Sequence, residues 1–488
     1  MKRAFVIVIL NLILLPVAVA QQGANSFELG SITTPRTINP AANSNTPSSL
    51  AGQQQNPFLG SVPDGEATAT PIALSLEDAI GRGLRFNLGV VENQMTLRQA
   101  QAERLRALSV MLPNASALVR QNLDNLSSVA IGLKIPGLPA STGQFGYQEA
   151  YFSISENGLN FDAAYRLRAA RRSAEAVAYS LSDARDIVVL AVGTAYLQVT
   201  ASQSRLETAR AQLEVARTLE AQTANQVRSG LSPEIDGFRA TVQRQTNEQR
   251  VTVGQANLEK DKLTLARLIG LPRGQQFNPI TVTQYQPWNG PELQGALLGA
   301  QQSRSDLKSA QTAAQAAALS KKAAGFERLP ALSFNGYYGA IGTTLAHSND
   351  TYALTATVSL PLFTGGRIRS DVQESAAQFQ RKQSEYLDLA GRVDYEVRNA
   401  FVDLTAAEGA VHVAENNSQL AQKTLEQARD RFVNGVTNNL EVVQAQQELA
   451  AANENYISSL FAHNLAKLAL LRAMGSAQKD AIQHLGGK

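Results

Sequence analysis

The sequence VRSGLSPEID, residues 227–236, and the sequence FVNGVTNNLE, residues 432–441, lie 205 positions apart and repeat one pattern. Each centres on a glycine, Gly230 or Gly435, and each separates two very long runs of helical character. The same register aligns Gly270 with Gly475. A duplicated helical hairpin of this length is rare in an ordinary globular protein, so it predicts a rod or a tube.

Very long helices are predicted on both sides of the turns. No proline occurs between Pro139 and Pro233, so a single helix can run from residue 161 to residue 228, or ~100 Å at ~1.5 Å per residue. Large residues recur every seven positions, at Val192, Val199, Leu206 and Leu213 and at Val397, Leu404, Val411, Leu425 and Phe432, with Ser418 at the remaining place of the second series. A strict seven-residue repeat indicates left-handed supercoiling.

Two strand pairs interrupt the helices. After a Leu-Pro at 112–113 the pattern predicts strands at 114–123 and 147–155. After a Leu-Pro at 329–330 it predicts strands at 331–338 and 352–360, with a loop at 339–350. One face is apolar and the other polar, which fits both a half-buried soluble sheet and a membrane barrel around a water-filled lumen. Four strands are too few to close a pore, so a barrel would need several chains.

The first residues have the pattern of an export signal. Lys2 and Arg3 precede an apolar run, and the sequence AVA at 18–20 fits the small-x-small cleavage rule, so we expect the mature chain to start at Gln21. Removal of residues 1–20 takes the formal charge of the chain from +3 to +1. A nearly neutral chain gives no electrostatic reason to expect nucleic-acid binding. No apolar run of 18 or more residues follows, so we expect no transmembrane helix.

The composition divides the chain into six predicted segments. They are a signal peptide at 1–20, a disordered tail rich in Gln, Asn, Ser and Pro at 21–72, a first helix–strand–strand–helix repeat at 73–272, a linker at 273–291, a second repeat at 292–475 and a C-terminal tail at 476–488. The predicted fold is therefore mainly α with a small β part.

Both turns carry acids at the start of the returning helix. Ser232 is expected to be an N-cap with Pro233 at the first helical position, and Thr437 is expected to cap the second helix. Asp236 and Glu441 then occupy matching places. Such acids stabilise a helix dipole by ~0.3–1 kcal/mol, or they form a carboxylate ring that narrows a pore and favours cations. The residues alone leave both interpretations open.

The sequence shows no catalytic constellation. The chain has no cysteine, and its four histidines, His347, His412, His463 and His484, are scattered without zinc-type spacing. No glycine-rich phosphate loop follows a strand. We therefore predict no enzyme activity, no cofactor and no metal site, and we expect His412 and His463 to be ordinary helix residues.

From about residue 73 to residue 475 the chain resembles the TolC-like outer-membrane efflux proteins. The marks are the duplicated plan, the sequence PLFTGGR at 361–367, the two glycine turns, and Asn87-Leu88 and Asp306-Leu307 at the break within the first helix of each half. The resemblance implies a homotrimer with a coiled-coil α-barrel in the periplasm and a twelve-stranded β-barrel in the outer membrane. It implies the exit duct of a tripartite efflux or type I secretion system, with a periplasmic adaptor and an inner-membrane pump as partners.

The resemblance also assigns roles to the turn residues. It implies an adaptor-docking tip made of Arg228, Gly230, Leu231, Ser232, Phe432, Gly435, Val436 and Thr437. It implies a pore constriction at Asp236, Glu441 and Gln444. Two departures weaken the match, because Gln444 stands where the family can have Asp, and Thr437 replaces a basic residue that can latch the closed tip. Arg228 or Arg431 could substitute for that latch.

A different class of protein shares the signal and the heptads. A periplasmic coiled-coil scaffold protein with a small soluble sheet would need no pore. It would have no use for the lipid-facing side chains expected at Phe334, Leu354 and Val358. The patterning of the strands is thus what separates the two alternatives.

Overall fold

The same order of elements occurs twice along the chain. The computed structural model describes residues 56–127, 130, 132, 139–280, 285–344, 346–437 and 439–485. The first half comprises β1 (Ile72–Leu74), α1 (Leu76–Phe86), α2 (Leu88–Ser109), β2 (Asn114–Asp124), β3 (Phe145–Leu159), α3 (Phe161–Arg228) and α4 (Glu234–Leu268). The second comprises β4 (Phe277–Pro279), α5 (Leu293–Ser303), α6 (Ser305–Phe326), β5 (Ala331–Thr344), β6 (His347–Ser359), α7 (Arg367–Val433) and α8 (Asn439–Met474), followed by α9 (Ala477–His484).

The long helices are confirmed. Helix α3 has 68 residues and α7 has 67, whereas a mean helix has about 11 to 12. Asn160 begins α3 by accepting a hydrogen bond from the amide of Ala163. The predicted seven-residue stripe is buried at Val192, Val199, Leu206 and Leu213 and at Val397, Leu404, Val411, Leu425 and Phe432. Ser418, in the same series, is half-buried. These helices are therefore held by their packed stripe rather than by local propensity.

The strands form one four-stranded antiparallel sheet in the order β2-β3-β5-β6. Its register places one row of apolar side chains across all four strands: Ala117, Phe152, Tyr338 and Tyr352. The loop expected at 339–350 is wrong, because β5 continues to Thr344 and β6 begins at His347. Gly339 and Gly342 suggested a loop, but each lies where a Cβ would come within 2.2 Å of a neighbouring carbonyl oxygen. Adjacent strands approach so closely at these two positions that a side chain would not fit, which explains the glycines.

The break in the first helix of each half is built around a buried polar side chain. Between α1 and α2, Asn87 donates to the carbonyl of Leu268 at 3.3 Å. Between α5 and α6, Arg304 donates to the carbonyl of Ala473 at 3.4 Å. These pairs occupy equivalent positions in the two halves. The second break therefore lies at Arg304 and not at Asp306-Leu307 as predicted, because its side chain takes the place of the Asn87 amide.

Part of the predicted tail is ordered. A 3₁₀ helix covers Pro57–Leu59, and β1 pairs in parallel with β4 from the predicted linker. Phe58 packs against the main hydrophobic core. The disorder expected up to residue 72 is thus wrong for residues 56–72, because these apolar side chains have a surface to cover. The expected signal peptide and the rest of the tail lie outside the described residues.

Among the described helices, α3 is long and apolar enough to cross a membrane by length and composition. Its most apolar 18-residue window has a mean hydropathy of 1.3, and 56 % of that window is buried inside the protein. A packed core helix gives the same pattern, so this is weak evidence for a span. The absence of a transmembrane helix stays a prediction.

A buried basic cluster joins α8 to the linker and to α9. Lys467 is 1 % exposed, and its ammonium group donates to the carbonyls of Gln286 and His484. Burial lowers the pKa of Lys467 to about 8. One turn away, His463 is fully buried, and neither ring nitrogen has a hydrogen-bond partner among the described residues. Burial, aided by Lys467, lowers the pKa of His463 to about 4.

Acid should therefore destabilise this region. The unfolded chain protonates His463 below about pH 6.5, whereas the folded chain resists protonation until about pH 4. Stability is thus kept above pH 6.5 and lost as the pH falls towards 4, by on the order of 3 kcal/mol at most. Thermal unfolding from pH 7 to pH 4 should show a shallower loss for His463→Leu than for the wild type. Exposed His347→Leu serves as the control, and equal slopes for all three would contradict the prediction.

Candidate functional site

The two glycine turns have the same backbone. Gly230 and Gly435 adopt φ angles of 71° and 70°, in the left-handed region that favours glycine. The amide of Leu231 bonds the carbonyl of Gln226, and the amide of Val436 bonds the carbonyl of Arg431. Both bonds are 2.8 Å long and are related by the 205-residue repeat. The turns are therefore duplicates in geometry as well as in sequence.

Most of the predicted docking residues are accessible. Arg228, Gly230, Leu231, Gly435 and Val436 are exposed, and Ser232 and Thr437 are half-buried. Phe432 differs, since it is 7 % exposed and packs in a small core with Leu425 and Val442. Phe432 thus packs beneath the second turn, whereas the other predicted docking residues lie at the surface of the two turns.

The cap predicted at Ser232 is wrong in detail. Pro233 is itself the N-cap of α4 and makes no side-chain cap bond, while the Ser232 hydroxyl donates to the side-chain oxygen of Gln226. The Thr437 hydroxyl donates to the carboxylate of Glu441. The Ser232 bond therefore crosses the first chain reversal, whereas the Thr437 bond lies at the start of the returning helix α8.

The two acids occupy matching places but different surroundings. Asp236 and Glu441 are each the third residue of their helix. Asp236 is 6 % exposed, pairs with Arg239 at 3.2 Å, and accepts on its main-chain oxygen a bond from the Asn439 amide. The Glu441 side chain is 40 % exposed. Of the two carboxylates, that of Glu441 is thus the one open to solvent.

Glu441 also has a basic partner across its own turn. The Arg431 guanidinium lies 3.5 Å from the Glu441 carboxylate. Among the described residues, Arg228 bonds to Asn225 and Ala224 on its own helix. Of the two arginines, Arg431 is thus the one that lies beside Glu441. Gln444 is exposed one turn further along α8. It lies on the same stretch of helix as Glu441 but carries no charge.

Two contributors were not found from the sequence. Arg239 follows Asp236 by three residues, which is a spacing that places side chains together on a helix and so offered a signal. Asn439 offered none, because its bond crosses from α8 to α4. In the described ranges no group of three or more His, Cys, Asp or Glu side chains is arranged to hold a metal ion.

Comparisons with known proteins agree on one family. Its sequence model, described as "Outer membrane efflux protein", matches residues 297–476. The pyoverdine export outer membrane protein OpmQ of Pseudomonas aeruginosa is 25 % identical over 407 residues, which cover 80 % of this chain and 83 % of OpmQ. The outer membrane protein TolC of Vibrio cholerae is 24 % identical over 405 residues, covering 80 % of this chain and 90 % of TolC.

The fold agrees with these relatives. The crystal structure of the outer membrane protein VceC from Vibrio cholerae superimposes with a TM-score of 0.70 at 20 % identity, covering 82 % of this chain and 96 % of VceC. In sequence and in fold the chain is thus similar to the TolC-like outer-membrane efflux proteins.

Proposed function

We propose that the protein is the outer-membrane exit duct of a tripartite efflux or type I secretion system. It lies in the outer membrane, extends into the periplasm, and passes solutes outward from a pump and its adaptor without catalysing a reaction. The observation that carries the proposal is the duplicated helical hairpin with an apolar-faced sheet at its far end, in a chain related to efflux channels along four-fifths of its length. Nothing in the comparisons favours a scaffold protein without a pore.

The open edges of the sheet support assembly into a closed barrel. Strands β2 and β6 are the edge strands, each with one side unpaired within the described chain. A bilayer does not tolerate open edges, because each unpaired backbone group costs several kcal/mol there. Pairing β6 of one copy with β2 of the next continues the antiparallel order. Three copies of four strands give the twelve strands that we propose for the barrel.

The outer face of the sheet supports a lipid contact. Val119, Tyr352, Leu354 and Val358 are each at least 70 % exposed. Their row continues beyond the strand into Leu362 and Phe363, which are about nine-tenths exposed. The opposite face carries polar groups, including an Arg120–Glu149 pair at 4.0 Å. An apolar outside with a polar inside is the pattern of an outer-membrane barrel.

The helical hairpins also leave apolar faces uncovered. On α4 the exposed apolar side chains include Phe238, Val242 and Leu263, and on α7 they include Tyr395 and Val402. Contiguous apolar patches on a protein surface mark interaction sites. We assign these faces to a second and a third copy of the chain, which together would close the helices into a tunnel. The two turns would then form its periplasmic tip, where the adaptor docks and where Glu441 narrows the pore.

The assembly predicts a distinctive behaviour on gels. After expression with its signal and separation of the membranes, the protein should appear in the outer membrane. Unboiled samples should migrate as a trimer that becomes a monomer on heating, because a closed barrel resists detergent until it is melted. A species that stays soluble in the periplasm would contradict the duct and would favour the scaffold alternative.

A further inference from the structure

A broad groove lies on the outer face of the sheet. It has a volume of about 660 Å³, a size typical of ligand pockets. Its apolar lining comes from β3, β5 and β6, with the side chains of Phe152, Ile154, Phe334, Tyr338, Tyr352 and Leu354. Each of these six side chains is at least 45 % exposed, so the folded chain leaves the groove open.

A glycine forms the floor of the groove. Gly336 pairs with Ile154 of β3 and with Leu354 of β6, so it lies between two large side chains of the same row. A Cβ at Gly336 would come within 2.7 Å of a methyl carbon of Leu354. Along β5 the outward positions are Phe334, Gly336 and Tyr338, so a position without a side chain lies between two rings. This arrangement leaves a trough in which a linear apolar chain can lie.

One carboxylate lines the same groove. Glu156 follows Ile154 by two positions on β3 and therefore faces the same side of the sheet. Glu149, on the opposite face of that strand, has Arg120 as an ion-pair partner at 4.0 Å. In the part of the chain that the structure describes, Glu156 has no such partner. A carboxylate on a lipid-facing surface is unfavourable unless it lies near the membrane interface or meets a cation.

The position of Glu156 along its strand places it at the level of lipid headgroups. It lies three residues before the end of β3 at Leu159, or ~10 Å at ~3.3 Å per residue, and α3 begins at Phe161. In the proposed duct the helices extend into the periplasm, so this end of the sheet meets the periplasmic surface of the membrane. From Glu156 the groove runs towards Tyr352, away from the helices and into the hydrocarbon.

We propose that the groove is a binding site for a phospholipid whose headgroup carries a free ammonium group, as in phosphatidylethanolamine. The ammonium donates hydrogen bonds to the Glu156 carboxylate, and one acyl chain lies in the trough over Gly336. The carboxylate disfavours a phosphoglycerol headgroup, which offers no cation and brings a net negative charge. This inference rests on the proposed duct, since this face meets lipid only if the sheet lies in a membrane.

Native mass spectrometry of the purified trimer tests the site. The trimer in mild detergent is mixed with equal amounts of phosphatidylethanolamine and phosphatidylglycerol that carry the same acyl chains, and the lipids retained per trimer are counted. The wild type should retain phosphatidylethanolamine at least about tenfold over phosphatidylglycerol. Tenfold corresponds to ~1.4 kcal/mol, which is within the range of one partly shielded contact between opposite charges.

Two variants and a matched control locate the site. Glu156→Gln should bring the ratio of the two retained lipids to about one, because the amide no longer distinguishes their charges. Ala356→Trp, at an exposed position that lines the groove, should lower the retention of both lipids alike, because the new ring fills the trough. Glu149→Gln makes the same chemical change on the same strand but on the opposite face, and it should keep the wild-type ratio.

The possible failures of the lipid site and of the duct are distinguishable. A wild-type trimer that retains both lipids equally would overturn the lipid site and leave the duct intact. A preference that survives Glu156→Gln, or one that Glu149→Gln abolishes as well, would also overturn the site, because the Glu156 carboxylate would then not be its cause. A chain that forms no membrane trimer would remove the duct, and the lipid site with it.

Discussion

Replacing Gly475 by alanine should destabilise the protein far more than the same change at Gly435. Both glycines have φ near 70°, so each alanine meets the same backbone strain of ~1–2 kcal/mol. At Gly475 the added Cβ would also lie 2.8 Å from the Cα of Arg304, whereas at Gly435 it would have no neighbour within 4 Å. The overlap with backbone atoms should cost a further ~1–3 kcal/mol.

The Gly475→Ala substitution should also disturb the ion pairs of Arg304. Burial opposes the charged form, but bonds to Asp306 and Glu396 outweigh it and raise the pKa of Arg304. The guanidinium is only 3 % exposed, so displacing it leaves buried charge without a partner. Thermal unfolding of the two alanine variants against the wild type measures the difference. Equal midpoints for both would mean that the helix break tolerates a shift of Arg304.

Neutralising Glu441 should weaken block of the pore by polyvalent cations. Glu441→Gln removes one carboxylate per chain, and three per trimer in the proposed assembly. The concentration of a trivalent cation that halves the conductance should rise at least about tenfold, because one contact between opposite charges is worth ~1–4 kcal/mol in partly shielded surroundings and tenfold corresponds to ~1.4 kcal/mol. Single-channel recording at fixed ionic strength provides the measurement.

Three further variants separate the ring from general surface charge. Glu103→Gln makes the same change at an exposed position of α2, away from the turns, and should leave the block unchanged. Gln444→Glu should strengthen it, because it adds a second carboxylate one turn from the first. Asp236→Asn should have a smaller effect than Glu441→Gln, since Asp236 is buried and paired with Arg239. If the blocking concentration of the trivalent cation is the same in all four variants as in the wild type, a carboxylate constriction is excluded.

The long helices and the twin turns could be predicted because their signals are local and repeated. Heptads at Val192 and Val199 identify the buried stripe, and the absence of proline allows one continuous helix. The ends of the strands were less predictable. Gly339 is typical of loops in sequence, but its place in β5 depends on a neighbouring strand that the sequence does not reveal.

The candidate site likewise has features that the sequence predicts and features that it does not. The matching positions of Asp236 and Glu441 follow from the repeat, since each turn fixes where its returning helix begins. Their different surroundings do not follow from it. Asn439 reaches Asp236 from another helix, and the choice of Arg431 over Arg228 as partner of Glu441 depends on the geometry of the turn. Contacts between distant residues carry no pattern in a single sequence.

The shared backbone of the two turns has a consequence for whatever binds them. In the proposed trimer, the loops at Gly230 and Gly435 would alternate around the axis, with identical main-chain bonds and different side chains. A partner that recognises main-chain shape would find six equivalent places, whereas one that recognises Leu231 or Val436 would find three of each kind. Duplication therefore allows one channel to match partners of either three-fold or six-fold symmetry.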